Sequence, residues 1–160
     1  ALWWAAESGN SRIIEVLLQH GASRAGDTDG LTPLHIAASK DRDAATRQLI
    51  TADNLDRTTS AGNSALQLAA SRNATAALAT LLARGAEVEH RNAGGDTALI
   101  LAAQAGAYEA ADLLLSAGAS PTARNNRFDS TEKIIERRSD QRWLALIADR
   151  KQSGILDIFD

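Results

Sequence analysis

The stretch Thr32-Pro33-Leu34-His35-Ile36-Ala37-Ala38 decides how this chain folds. It reads as a turn leading into a helix. The Thr32 hydroxyl is placed to cap the first free N–H groups, and Pro33 falls at the first helical position, where its missing N–H costs nothing. Leu34, Ala37 and Ala38 then share one helical face at spacings of three and four. Alanines on that face let a second helix come close. Working outward, Ser64-Ala65-Leu66-Gln67-Leu68-Ala69-Ala70 and Thr97-Ala98-Leu99-Ile100-Leu101-Ala102-Ala103 repeat the stretch at intervals of 32 and 33 residues, each two places after a glycine (Gly30, Gly62, Gly95). A second apolar pair follows each Ala-Ala: Leu49-Ile50, Leu81-Leu82 and Leu114-Leu115. Gly85-Ala86 and Gly118-Ala119 end two of these second helices, as glycine at a helix C-terminus does.

Composition narrows the field. The chain has 160 residues, of which 44% are apolar and only 4% aromatic. A core of Ala and Leu suits thin, closely packed helices better than a thick globule or a β-sandwich. The net charge of −3 excludes a uniformly basic nucleic-acid binder, though not a local patch. Cysteine is absent, which removes disulfides, thiolate chemistry and Cys-containing metal sites. No apolar run approaches the ~20 residues that span a bilayer. The chain begins without Met inside a helix-like pattern, which leaves room for a removed signal peptide or earlier residues. The compartment stays open, with the cytoplasm favoured over a periplasmic or secreted location. The Ala- and Arg-rich, Lys-poor composition hints at a bacterial source.

The run Gly-x-Thr-Pro-Leu-His-x-Ala-Ala, followed later by Leu-Leu-x-x-Gly-Ala, resembles the ankyrin repeat. The resemblance implies an all-α solenoid of about five helix-turn-helix repeats with degenerate terminal caps. Repeats fall near 1–26, 27–58, 59–91, 92–124 and 125–152, leaving 153–160 as a C-terminal tail. The second repeat has Asp53-Asn54 where Gly-Ala is usual. The third and fourth have Ala65 and Ala98 for the proline and Gln67 and Ile100 for the histidine, changes expected to weaken the hydrogen bonding of the turn. In the fifth, Ile134 and Ile135 are read as replacing the two alanines, and Trp143, Leu144, Leu146 and Ile147 supply the second stripe. Charged Glu132, Lys133, Glu136, Arg137 and Arg138 surround that stripe, as a polar terminal cap requires. One ring of Trp3-Trp4 is expected to cover the N-terminal end of the stack. The tail Gly154-Ile155-Leu156-Asp157-Ile158-Phe159-Asp160 is expected to pack back on the cap.

No catalytic constellation emerges. No two of His20, His35 and His90 stand at the i, i+4 spacing of a helical zinc site. Ser60, Ser64 and Ser71 have no histidine near in sequence. Gly94-Gly95 lacks the Lys-Ser/Thr of a phosphate loop. No catalytic residue, metal or cofactor is therefore expected. In the resembling family the motif histidine steadies the turn through backbone hydrogen bonds, and His35 takes that role.

The resemblance further implies a protein–protein interaction module, with contacts made on the concave side by finger tips and by residues just after the two alanines. Carried onto this chain, the partner-binding positions are Asp29, Leu31, Lys40, Asn63, Arg72, Arg91, Asp96, Gln104, Arg124, Arg127, Phe128, Arg137 and Arg138. The C-terminal half of this set is rich in arginine around one aromatic, and arginine forks bind carboxylates bidentately. An acidic segment of a partner protein fits it, with Arg91 and Arg127 expected to matter for binding and not for stability. The chain is expected to be a monomer that binds neither nucleic acid nor membrane. Two other readings are a stoichiometric inhibitor or immunity-type protein of an enzyme, and a targeting module of a longer multidomain protein.

Overall fold

The computed structural model describes the backbone of residues 1–152 and side chains as far as Asp149; the tail, with the packing expected of it, lies outside the described residues. The described residues form ten helices: α1 (Leu2–Ser8), α2 (Ser11–Gln19), α3 (Pro33–Ser39), α4 (Asp43–Leu49), α5 (Ala65–Ser71), α6 (Thr75–Ala83), α7 (Ala98–Ala105), α8 (Tyr108–Ser116), α9 (Thr131–Arg138) and α10 (Gln141–Gln152). First helices stand in single file, α1 against α3, α3 against α5, α5 against α7 and α7 against α9. Second helices make a parallel file, α2, α4, α6, α8 and α10, each against the next. Helices this short would not persist alone in water, so the stack itself supplies their stability.

The first helices start where the sequence places their caps. The hydroxyls of Thr32, Ser64, Thr97 and Ser130 each accept from the backbone N–H three residues on, at 3.3 Å. These caps fix the register of everything that follows. The alanine pairs at 37/38, 69/70 and 102/103 are buried at the contact between files, where a larger side chain would push the helices apart. Counted from its cap, α9 corrects one expectation. Ile135 and Glu136, not Ile134 and Ile135, occupy the two alanine positions. Glu136 is exposed, and Ile134 holds the half-buried place of Ile36.

Asn10 caps α2 from within its own repeat, whereas α6 and α8 are capped from the repeat before them. Ala74 and Ala107 precede α6 and α8 and offer no capping side chain. Instead, Asp41 Oδ1 accepts from Ala77 N at 2.9 Å and Asn73 Oδ1 accepts from Ala110 N at 2.9 Å. Asp41 and Asn73 sit at the turn between helices with φ of 55°, which aims their side chains at the following repeat. Asp and Asn tolerate that conformation better than most residues. Where Asp53-Asn54 replaces the usual Gly-Ala, Asn54 closes the end of α4 itself, donating from Nδ2 to Leu49 O and accepting from Thr51 N, both at 2.8 Å.

Between repeats the chain runs out into fingers. Asp27, Asn92 and Asn125 each fold a tip by accepting two backbone N–H groups on one side-chain oxygen. Main-chain bonds then tie tip to tip: Ser60 N to Asp29 O, Ala93 N to Ala61 O and Asn126 N to Gly94 O. At the tips Gly30, Gly62 and Gly95 have φ of 71°, 76° and 74°. A Cβ on any of them would meet the backbone of the next finger at 2.8 to 3.0 Å, so only glycine fits. The equivalent residue of the last finger is Phe128, with φ of 60°.

Candidate protein-docking face

The motif histidine sits where one repeat runs into the next. His35 is fully buried; its Nδ1 accepts from Thr32 N at 3.1 Å, which leaves Nε2–H to donate to Arg57 O at 3.0 Å, just ahead of the following finger. Burial drives its pKa down, overriding the opposing effect of the Arg57 and Asn63 carbonyls, so the ring is neutral. Gln67 corrects the expectation of a weakened turn. Its Oε1 accepts from Ser64 N at 3.0 Å, and its Nε2 donates to His90 O at 3.0 Å and Asp96 O at 2.8 Å. An amide carries the same acceptor and donor at the same reach. Ile100 does lose the bridge, keeping only its backbone N–H on Thr97.

At that junction other residues take over, and several expected docking residues prove to be among them. Asp96 is buried, and its Oδ1 accepts from Asn125 Nδ2 at 2.7 Å and Gln104 Nε2 at 3.3 Å. From this buried position it holds two fingers together. Arg91 donates to Gly95 O and Arg124 O across two fingers, so its loss carries a structural cost that the sequence did not suggest. Arg138 donates to Ala103 O at 2.7 Å and Gln104 O at 2.9 Å, closing the C-terminal end of α7, where a cation is electrostatically favoured. Arg137 lies 3.0 Å from Asp129, and Lys40 lies 3.3 Å from Glu7. The hydrogen bond from Lys133, ahead of the nearby Arg137 charge, keeps the Asp129 carboxyl below its usual range.

The remaining positions are open to solvent to different degrees. Asp29 is exposed at a tip, Leu31 and Asn63 are half-buried, and Asn63 Oδ1 accepts from Asn92 Nδ2 at 2.9 Å. Arg72, Arg124 and Arg127 are exposed, and their guanidinium groups have no partner among the described residues. Phe128 is 72% exposed.

One row of side chains was not read as a site. Trp4, Ile36, Leu68, Leu101 and Ile134 occupy equivalent places on the five first helices, and none is fully buried; Trp4 is 77% exposed and Trp3 half-buried. The signal was in the sequence, since every first helix carries a large apolar residue just ahead of the two positions that alanine pairs fill in α1, α3, α5 and α7. It passes for core until burial is known. Among the described residues, no helix is long and apolar enough to cross a membrane.

This single file of capped helix pairs agrees with a comparison of families. A family model for ankyrin repeats, three copies long, matches residues 1–59 and 45–125. The chain belongs to the ankyrin-repeat family. No curated protein matches it. Ankyrin repeats are generally protein–protein interaction modules and typically non-catalytic. In this ankyrin stack, Arg72, Arg124, Arg127 and Phe128 are exposed, and the residues of the apolar row are half-buried or exposed.

Proposed function

We propose that the chain is a non-catalytic module that binds a partner protein across the face made by its fingers and first helices, gripping an extended acidic segment. The observation that carries this reading is the row Trp4, Ile36, Leu68, Leu101 and Ile134, an apolar ribbon left partly open on five successive helices. Helices packed about 10 Å apart make that ribbon roughly 40 Å long. About a dozen extended residues would cover it. Arg72 at the end of α5 and Arg124 and Arg127 on the last finger supply cations with no partner among the described residues, whereas Lys40 is matched by Glu7. Because the scaffold is ordered before binding, little side-chain or loop entropy is lost on docking.

The test is capture of a partner from the native source by cross-linking, followed by affinity measurement with the purified partner. Leu68→Glu and Arg72→Glu are each expected to weaken binding at least roughly tenfold while the helical circular-dichroism signal persists. Glu15→Arg, on the exposed side of α2, is expected to change nothing. Equal affinity for all three variants would overturn the reading. A captured enzyme silenced on binding would make the module an inhibitor acting through the same face.

A further inference from the structure

Each finger but the last is covered by the next one. The tip glycines mark this contact, because a Cβ at Gly30, Gly62 or Gly95 would run into the following backbone. At the last finger the chain places phenylalanine in that same position. A bulky residue at positive φ is strained, and glycine would hold the turn more comfortably. Phe128 is nevertheless 72% exposed, so packing does not repay the strain. Arg124 tells the same story. It is the counterpart of Arg91, whose guanidinium reaches the carbonyl of the following finger; Arg124 has no partner to reach among the described residues.

These two side chains, with Ser130, Lys133, Glu132 and Glu136, line an open cleft of about 300 Å³ between the last finger and α9. We propose that this cleft is a docking subsite for a partner segment carrying one apolar side chain beside one carboxylate. The inference rests on the protein-binding reading above and locates one end of the bound segment. The apolar group stacks on the Phe128 ring, and the carboxylate takes the guanidinium fork of Arg124. Glu136, exposed in the same lining, disfavours a second acid there. Lys133 is held by Asp129 at 3.1 Å and contributes less. An exposed aromatic beside an unpaired arginine has the composition of a binding hot spot.

The experiment selects random 12-residue peptides on the immobilised full chain and measures the affinity of the enriched peptides by fluorescence anisotropy. Enriched peptides are expected to carry Asp or Glu within two residues of Phe, Trp, Leu or Ile. Phe128→Gly and Arg124→Ala are each expected to weaken them at least roughly tenfold. Phe128→Gly should at the same time leave Tm unchanged or raise it, because glycine relieves the positive φ. Opposite signs for binding and stability are what a purely structural phenylalanine would not give. Peptides without acids, no enrichment, unchanged affinity, or a lowered Tm for Phe128→Gly would each overturn the proposal. Peptides lost on Leu68→Glu but not on Phe128→Gly would overturn the subsite and leave the broader reading standing.

Discussion

Two junctions of the same stack are joined by different chemistry. Where the second repeat runs into the third, a buried imidazole fixes the chain: His35 takes the Thr32 N–H on one side and gives its own N–H to Arg57 O, just ahead of the third repeat's finger, on the other. Between the fourth and fifth repeats the corresponding residue is Ile100, which can do neither. There the load moves outward, to the Asp96–Asn125 pair between fingers, to Arg138 on the end of α7, and to Arg142, which lies 3.7 Å over the Tyr108 ring and 3.0 Å from Glu109. Tyr108 in turn meets Trp143 edge to face at 5.7 Å. Gly106 stands where Asp41 and Asn73 cap the next second helix, so α10 receives no such cap. The interior junction is closed by a buried imidazole, and the terminal one by the buried Asp96–Asn125 pair together with the exposed residues Glu109, Arg138 and Arg142. Repeat stability is close to a sum of units and interfaces, so the terminal pair should open first.

The widest test of this contrast is to remove packing on each side of it. Leu66→Ala, in the middle of the stack, is expected to cost about 3 kcal/mol and to lower the main unfolding transition. Trp143→Ala removes comparable packing, about 3 to 5 kcal/mol, but its effect should stay local. Hydrogen exchange would show α9 and α10 unprotected while α3 to α8 keep their protection. Loss of protection along the whole stack would mean that the two junctions are equally strong.

A smaller effect is expected at the polar seam. Asp96→Ala strands the buried Asn125 amide and should cost about 2 kcal/mol, with faster exchange in the last finger and α9. Were Asp96 instead a docking residue, stability would hold and only binding would fall.

The smallest effect sharpens the interior half. His35→Gln copies what Gln67 already does one repeat on, so stability near pH 8 should change by less than about 1 kcal/mol. The pH dependence should differ. The folded-state pKa of His35 lies below its ordinary 6.5, so the unfolded chain binds the extra proton first. The contribution of His35 is therefore complete above pH 6.5 and is lost as the pH falls toward the depressed value. Denaturant titrations from pH 8 to pH 5 should give a flatter profile for His35→Gln than for the parent chain. Parallel profiles would mean that the imidazole is not buried neutral.

The fold was largely legible because its signals are local. A cap hydroxyl and the N–H it satisfies are three residues apart, as in Thr32 and His35, and the alanine pair follows within the next turn. The one misreading of register, at Ile134 and Ile135, came from following apolar residues instead of counting from Ser130. The site was less legible. Arg72, Arg91, Arg124 and Arg138 look alike in a string of letters, yet two are built into the scaffold and two are spare. What separates them is a carbonyl some thirty residues away, such as Arg124 O for Arg91 or Ala103 O for Arg138.

By itself, then, the amino-acid order determined the helix pairs, their caps and their stacking in file, since each of these follows from hydrogen bonds and apolar spacings within a few residues. Tertiary structure alone decided that Asp96 is buried, that Gln67 serves as well as histidine, and that Phe128 stands uncovered at a position reserved elsewhere for glycine. The reason is physical. Whether a polar or aromatic side chain is spent on the scaffold depends on which backbone the neighbouring repeat brings to it, and that neighbour is fixed only once the stack has formed.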